Sequence, residues 1–157
     1  NPQVIPQSVV FSTLTGTFTN HHLKLSTPKY SFCYLFQAPK LYIIGGVAVS
    51  PGAQLPSADV EEYDVVSGEC RTVPSLKEAR SEASCVQLGS SIVVIGGRGV
   101  NGQSLKSVER FDRNKGCWES LPDLLIARRS AVAEVVGDSL YVIGGFDGEK
   151  FLCSVEK

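Results

Sequence analysis

The sequence predicts an all-β fold in which a small antiparallel sheet is repeated along the chain. Three observations support this prediction. Short apolar stretches alternate with turn residues, and no stretch keeps an apolar 3.6-residue period long enough for a helix. The chain is 43% hydrophobic and 20% charged, which is typical of an ordinary globular domain. The third observation is a recurring string, LYIIGG at 41–46, IVVIGG at 92–97 and LYVIGG at 140–145.

The repeat has a long period, since the three strings lie 51 and 48 residues apart. Aligning 58–97 with 106–145 without a gap gives identity at 15 of 40 positions. Composition alone gives roughly 2 to 3 matches over such a length. The register is therefore genuine. The identical residues of the first copy are Val60, Glu61, Asp64, Gly68, Pro74, Leu76, Ala79, Arg80, Ala83, Gly89, Ser91, Val94, Ile95, Gly96 and Gly97.

Residues 1–28 fit no repeat. They are rich in Ser and Thr and contain Pro2, Pro6 and Pro28, and the stretch VVFSTLTGTFT offers at most one alternating strand. We expect an irregular or flexible N-terminal segment here. A transit peptide is disfavoured, because the first arginine of the chain is Arg71.

Residues 29–157 divide into units at 29–79, 80–127 and 128–157, the last of which stops before its fourth strand. The second unit predicts strands at 83–88, 91–95, 107–112 and 117–121, separated by turns. The run 92–95 is apolar without alternation, as in a strand that is covered on both faces. Four strands in a period of about fifty residues predict the blades of a β-propeller. The first unit has a longer exposed loop at 47–57.

About two and a half four-stranded blades are present, whereas propellers close with about 4 to 8 blades. The chain begins with Asn1 and contains no Met, so we expect it to be a piece of a longer protein. An open arc leaves sheet edges and apolar faces uncovered. Poor stability or association is therefore expected of this piece.

Short motifs inside the units resemble the kelch repeat family. A Gly-Gly doublet follows an apolar strand. After it come an aromatic residue (Tyr63 or Phe111), then Trp118 in the second unit, and then an arginine (Arg80 or Arg128). The string LKSVERFD at 105–112 is similar to the kelch third strand, and GGFDG at 144–148 is similar to the exit of the second strand. The resemblance covers 29–157 and implies a partial kelch propeller, like the domain of BTB-kelch ubiquitin-ligase adaptors.

The repeated residues have structural explanations. Glycine suits a strand end where φ is positive or where a neighbouring blade approaches closely. The aromatic residues are expected to fill the space between sheets. The arginines are expected to bond to carbonyls of the next blade, with a ligand-binding role as the alternative. This structural set is Gly45, Gly46, Gly96, Gly97, Gly144, Gly145, Tyr63, Phe111, Trp118, Arg80 and Arg128.

The resemblance also implies a partner-binding face, formed by the loops after the second strand and by the turn after the repeated arginine. Arg98 and Arg129 could clamp an acidic peptide through bidentate bonds, or they could be ordinary solvated arginines. The expected face contains Arg98, Asn101, Gln103, Ser104, Ser81, Glu82, Arg129, Ser130, Asp147, Glu149 and Lys150.

Other classes of protein are disfavoured. The net charge of −1 gives no electrostatic reason to expect nucleic acid or an anionic membrane as partner. No apolar run reaches the roughly 18 to 20 residues of a membrane helix. The adjacent His21 and His22 point different ways on a strand, so neither a metal nor another cofactor is expected. No nucleophile-elbow, zinc or phosphate-loop motif occurs.

Five widely spaced cysteines without a C-x-x-C pair predict neither a disulfide framework nor a zinc site. Reduced thiols in a cytoplasmic protein are the simpler interpretation. Cys85 and Cys153 fall within predicted strands, where buried thiols are usually inert.

Loops on a rigid scaffold are where recognition usually lies, so we predict a non-enzymatic protein interaction module. The resemblance implies the substrate-recognition part of a cullin-type ubiquitin-ligase adaptor, which binds a short peptide motif and reaches the cullin through an upstream BTB domain. Actin binding or cytoskeletal scaffolding is the alternative. A metal-dependent enzyme is least favoured, because nothing here supplies the tyrosine and histidine ligands of the copper oxidases built on kelch propellers.

Overall fold

The computed structural model of the protein describes residues 8–12, 17–21, 25–49 and 54–157, the first two ranges by their backbone alone. All regular secondary structure in these ranges is β-strand. Within them, no helix has the length and apolar character needed to cross a membrane.

The N-terminal part contains a hairpin. Strands β1 (Ser8–Ser12) and β2 (Thr17–His21) pair antiparallel, with Phe11 opposite Phe18. The sequence offered at most one strand in this stretch, so the second strand is an addition from the structure. The side chains of His21 and His22 lie outside the described part of the chain.

The first sheet has four strands, and a two-residue pair lies beside it. The sheet order is β4-β5-β7-β8, all antiparallel, while β3 pairs with β6. Part of the long loop of this unit, residues 50–53, lies outside the described residues. The strands are β3 (Lys29–Tyr30), β4 (Cys33–Gln37), β5 (Lys40–Ile44), β6 (Val47–Ala48), β7 (Val60–Asp64) and β8 (Cys70–Val73).

The second sheet is also four-stranded, and the third has three strands. Two strands of the second sheet begin one residue later than the sequence predicts, and the other two match. Cys153, expected within a strand, is exposed and precedes β15. The strands are β9 (Ser84–Leu88), β10 (Ser91–Ile95), β11 (Val108–Asp112), β12 (Cys117–Leu121), β13 (Val132–Val136), β14 (Ser139–Ile143) and β15 (Val155–Glu156).

The pairing register repeats from sheet to sheet. The isoleucine before each Gly-Gly doublet lies opposite a valine of the third strand: Ile44 opposite Val60, Ile95 opposite Val108 and Ile143 opposite Val155. The prediction of an all-β fold that forms part of a propeller is confirmed. The hairpin β1–β2 has the same strand lengths as the outer pair β11–β12, in which Phe111 lies opposite Trp118.

Both faces of the second sheet are buried. Ile92, Val94 and Trp118 lie in a cluster with residues of the first sheet, and Val93 and Ile95 lie in a cluster with residues of the third. Side chains alternate along a strand, so successive residues of β10 face different neighbours. The unbroken apolar run 92–95 follows from this two-sided burial.

Glycine doublets mark the close approach of one sheet to the next. Gly96 has φ of +57°, and a Cβ there would lie closer than 3.0 Å to the carbonyl oxygen of Arg128. The next glycine, Gly97, donates its N–H to the same oxygen at 2.9 Å. Gly45 and Gly46 make the same arrangement with the carbonyl of Arg80. The doublet is therefore where each sheet is tied to the segment that starts the following one.

Candidate partner-binding face and the buried ion pairs behind it

The repeated arginines are buried and hold the strands of the sheet that follows them. Arg80 donates from Nη1 to the carbonyls of Gly96 at 2.8 Å and Ser107 at 3.0 Å. Arg128 donates from Nη1 to the carbonyls of Gly144 at 2.8 Å and Ser154 at 3.3 Å. The contacts are with backbone carbonyls, which is the structural role considered from the sequence.

Each of these cations also meets a carboxylate, buried in Glu109 and partly buried in Glu156, that was not expected from the sequence. Arg80 Nη2 lies 2.6 Å from Glu109 Oε1, and Arg128 Nη2 lies 2.5 Å from Glu156 Oε1. In the first unit Lys29 takes the place of the arginine, and its Nζ lies 2.5 Å from Glu61 Oε1. The signal was present in the sequence, because Glu61 and Glu109 are among the identical positions of the repeat.

Backbone N–H groups of the segments between sheets complete these ion pairs. Lys77 N and Glu78 N donate to Glu109 at 2.7 and 3.1 Å. In the same way, Leu125 N and Ile126 N donate to Glu156 at 2.7 and 3.1 Å. A carboxylate with these donors is satisfied although it is buried. The ion pairs of Arg80 and Arg128 therefore fix the connections between successive sheets.

The pKa values of two of these carboxyls reflect the same contacts. Burial by itself would raise the pKa of Glu61, but hydrogen bonds from Lys29, Tyr63 and Ser26 hold the pKa below its usual range. Burial opposes ionisation of Glu156 as well, and bonds from the backbone of Leu125 and from Arg128 lower its pKa in the same way. Both groups are anions in the folded protein at neutral pH.

Three non-glycine residues with positive φ follow these cations by two positions. Ser31, Glu82 and Ser130 have φ of 53°, 54° and 52°. A backbone chain of hydrogen bonds joins them, from Glu82 N to Ser31 O and from Ser130 N to Glu82 O, each 2.8 Å long. Such conformations are strained for residues with a Cβ and persist where the surrounding structure imposes them. The turns that carry part of the expected face are therefore rigid.

The loops of the second and third sheets form one continuous surface. Arg98 and Ser81 exchange backbone bonds of 2.6 and 3.0 Å, and Phe146 and Arg129 exchange the equivalent bonds of 2.9 and 3.0 Å. Ser104 Oγ then donates to the carbonyl of Phe146 at 2.9 Å. The structure thus brings the expected face residues of both units together.

The two arginines of this surface differ. Arg98 is exposed, and it forms no ion pair with any residue in the described ranges. Arg129 is half-buried, with its Nε 3.7 Å from Glu82 Oε2 and its Cζ 5.0 Å from the centre of the Phe146 ring. Arg98 is consequently the guanidinium that is free to meet a carboxylate from outside.

Ser81 is the exception in the expected face. Its side chain is 1% exposed, and its Oγ has no hydrogen-bond partner among the described residues. It lies inside the junction because its backbone pairs with Arg98. Ser81 therefore positions Arg98 and does not present its side chain to a partner.

The remaining expected residues lie on exposed loops. Asn101 and Gln103 are exposed beside Arg98, and Glu149 and Lys150 are exposed in the loop of the third unit. Asp147 accepts the N–H groups of Glu149 and Lys150, each at 2.8 Å. These backbone bonds lower the pKa of Asp147, so its charge is engaged within its own turn.

Two aromatic residues of this face were missed from the sequence. Phe151 is 86% exposed and lies 5.1 Å, centre to centre, from the ring of Phe146. Tyr30 is exposed at the position equivalent to Arg129, and its hydroxyl bonds to Gln54 Oε1 at 2.9 Å. The repeat spacing was the signal that could have found Tyr30, since position 30 precedes the positive-φ Ser31 as Arg129 precedes Ser130.

This combination of stacked antiparallel sheets, junction ion pairs and a continuous loop surface is that of a partial β-propeller. The family model described as "Kelch motif" matches residues 28–77, 79–125 and 127–157. The chain belongs to the Kelch family, whose repeats generally serve as interaction modules without enzymatic activity.

Two curated proteins are similar in sequence. The chain is 36% identical over 70 residues to an F-box/kelch-repeat protein of Arabidopsis thaliana, a match that covers 45% of this chain and 19% of that protein. It is 31% identical over 94 residues to Kelch-like protein 34 of Homo sapiens, covering 55% of this chain and 15% of that protein. The matches thus cover less than a fifth of the length of either relative.

A solved structure shares the fold. The structure of YjhT superposes with a TM-score of 0.77 at 14% identity, over 88% of this chain and 51% of that chain. At this level of identity, the similarity concerns the fold alone.

Proposed function

We propose that the loop surface binds a short acidic motif of a partner protein, and that the chain is the substrate-recognition part of a cytoplasmic cullin-type ubiquitin-ligase adaptor. The observation that carries the binding proposal is Arg98, an exposed guanidinium that no described carboxylate engages. Arginine offers a planar fork of donors that matches a carboxylate.

The surroundings of Arg98 suit a peptide. Asn101 and Gln103 provide amide groups that can bond to a peptide backbone, and Phe151 provides an exposed aromatic surface. Aromatic residues and arginine are enriched among residues that dominate binding energy in protein interfaces. The rigid turns at Glu82 and Ser130 reduce the ordering cost of binding.

The ligase part of the proposal is supported by the kind of relatives. One matched protein is named as an F-box/kelch-repeat protein and the other as a Kelch-like protein. The sequence motifs resemble those of BTB-kelch adaptors, in which a BTB domain before the propeller contacts the cullin. Co-precipitation of a cullin with the full-length protein would support this part, and co-sedimentation with actin filaments without a cullin would contradict it.

The binding proposal can be tested with fluorescent peptides. The probe is a peptide library rich in Asp and Glu, with a matched library in which these residues are Asn and Gln, and anisotropy measures binding to the chain. We expect binding to the acidic library only. We expect Arg98→Ala to weaken it about tenfold or more, since hydrogen bonds to charged groups contribute about 1.5 to 3 kcal/mol.

The matched control is Arg71→Ala, which removes an exposed arginine from the outermost strand of the first sheet, β8. This change should leave the affinity unaltered. Equal binding of the two libraries, or an equal loss in both variants, would exclude Arg98 as the recognition residue.

A further inference from the structure

Two cysteines face each other across the junction between the first and second sheets. Cys33 begins β4, and Cys85 lies in β9, the strand that occupies the same place in the next sheet. Both belong to the apolar cluster between these sheets. Cys85 Sγ lies 3.0 Å from the carbonyl oxygen of Tyr34, the residue after Cys33.

The backbone holds the two strands side by side next to these residues. Glu82 N donates to Ser31 O at 2.8 Å, two residues before Cys33 and three before Cys85. Residues 31 and 82 have the same strained φ, so this contact belongs to the repeated framework of the fold. The separation of the two strands is therefore set by the packing of the sheets.

The Cys33 thiol contacts the Cys85 thiol and is neutral at rest. A hydrogen bond with the Cys85 thiol and burial raise the pKa of the Cys33 thiol well above its ordinary value. Cys33 is buried and Cys85 is half-buried, so Cys85 is the more accessible of the pair. The other three cysteines, Cys70, Cys117 and Cys153, are exposed.

We propose that Cys33 and Cys85 form a modification site, at which a peroxide oxidises the pair to a disulfide that joins the first strands of neighbouring sheets. The proposed peptide binding does not depend on these two cysteines.

The reaction balances with hydrogen peroxide as the oxidant. The Cys85 sulfur attacks one peroxide oxygen, the O–O bond breaks, and Cys85 becomes a sulfenic acid with release of one water. The Cys33 sulfur then attacks Cys85 Sγ and displaces hydroxide, which takes the Cys33 proton and leaves as a second water. Two thiols and one peroxide give one disulfide and two waters.

A disulfide here would close the chain between residues 33 and 85 and fix one sheet to the next. Cross-links of this kind stabilise a fold mainly by restricting the unfolded chain. The raised pKa of the Cys33 thiol makes Cys33 itself unreactive toward oxidants, because the thiolate is the reactive species. The site would respond to peroxide and be reset by a dithiol reductant.

The test is peptide mapping of the 157-residue chain after treatment with one equivalent of hydrogen peroxide, blocking of free thiols and digestion without reductant. We expect the loss of two of the five thiols. We also expect a linked peptide pair containing Cys33 and Cys85, and a higher thermal midpoint than that of the reduced chain. Treatment with dithiothreitol should reverse all three changes.

Two controls keep the proposal falsifiable. Cys153→Ser should leave the linked pair intact, whereas Cys85→Ser should abolish it without creating another. In urea, where the sheets are unfolded, the preference for this pair should disappear. Linkage of Cys70, Cys117 or Cys153 at comparable yield in the folded chain, or oxidation of Cys85 to sulfinic acid without linkage, would overturn the proposal.

Discussion

At the scale of single residues, we expect substitution of the buried cations to affect stability most. Arg80 is fully buried, and it joins two carbonyls and a carboxylate of one sheet while its own carbonyl accepts from a glycine of the preceding sheet. Removing one partner of a buried ion pair leaves the other charge uncompensated in a poorly solvated place. The loss is much larger than for an exposed pair.

We therefore expect Arg80→Ala to lower the free energy of unfolding by about 3 to 5 kcal/mol. Arg110→Ala, which breaks the half-exposed pair with Glu119, should lower it by about 0 to 1 kcal/mol. Urea denaturation followed by Trp118 fluorescence measures both. Arg80→Lys should lose less than Arg80→Ala, because Lys29 holds its carboxylate from the equivalent position. Similar losses for Arg80→Ala and Arg110→Ala would contradict the assigned role.

The stability of the fold at acid pH depends on the carboxyl groups of these ion pairs. The pKa values of Glu61 and Glu156 are lowered from an ordinary value of 4.5. A carboxyl whose pKa is lower in the folded chain stabilises the fold above the unfolded pKa, and this stabilisation is lost as pH falls through the folded pKa. The contribution of these two carboxyls to the free energy of unfolding should therefore be constant above about pH 5.5 and should decrease below about pH 4.5.

Urea denaturation at a series of pH values measures this dependence. The substitutions Glu61→Gln and Glu156→Gln should each reduce its slope, whereas Glu69→Gln, at an exposed turn residue, should not. An unchanged slope in both variants would show that other carboxyls govern acid unfolding.

At the scale of elements, the glycine doublets set how closely one sheet can approach the next. Gly96 and Gly116 both have positive φ, at 57° and 65°. A Cβ at Gly116 would have no atom within 4 Å, whereas a Cβ at Gly96 would overlap the carbonyl of Arg128. Comparing alanine substitutions at Gly116 and Gly96 therefore separates the cost of backbone strain from the cost of steric overlap.

Gly116→Ala should lower the free energy of unfolding by about 1 to 2 kcal/mol, because an L-residue is strained in the left-handed conformation. Gly96→Ala should cost this amount and about 1 to 3 kcal/mol more, because the sheet junction must shift. Thermal and urea denaturation of the two variants measure the difference. Equal losses would mean that the junction accommodates a methyl group without displacement.

At the scale of the whole molecule, the arc of three sheets exposes apolar residues at both of its ends. Ile143 is 46% exposed on the third sheet, and Tyr34 and Phe36 are more than half exposed on the first. Side chains alternate along each strand, so these residues lie on the faces that no described sheet covers. Exposed apolar surface of this kind promotes association.

We expect the 157-residue chain to associate in solution, as light scattering would show. Ile143→Glu should reduce association, because it places a charge on the uncovered face of the third sheet. Val66→Glu, in an exposed turn of the first unit, is the matched control and should have no effect. A cooperatively melting monomer at every concentration would contradict this expectation.

Much of the fold could be predicted from the sequence, because the repeated units can be aligned with one another. The strands of the second unit were placed to within one residue, since two copies of the same pattern constrain one another. The carboxylates Glu61 and Glu109 were visible as identities but were not assigned a role. Lys29, the partner of Glu61, was hidden, because a lysine in the first unit replaces the arginine of the other two.

The candidate face was predicted less completely. Loop positions follow from the motif and could be predicted, but the exposure of each side chain depends on how its loop folds back. Ser81 is buried by its pairing with Arg98, and Phe151 is exposed although it is aromatic. Both Arg98 and Arg129 were candidates to bind a carboxylate, and only the contacts of Arg129 with Glu82 and Phe146 distinguish them.

The sequence by itself determined the all-β class, the period of the repeat and the alignment of its copies, because hydrophobic alternation and turn residues are local properties of the chain. Only the tertiary structure decided which charges are buried, which arginine is free and which cysteines meet. These depend on contacts between residues that lie tens of positions apart, such as Arg80 with Glu109 and Cys33 with Cys85, and such contacts exist only after the sheets have packed.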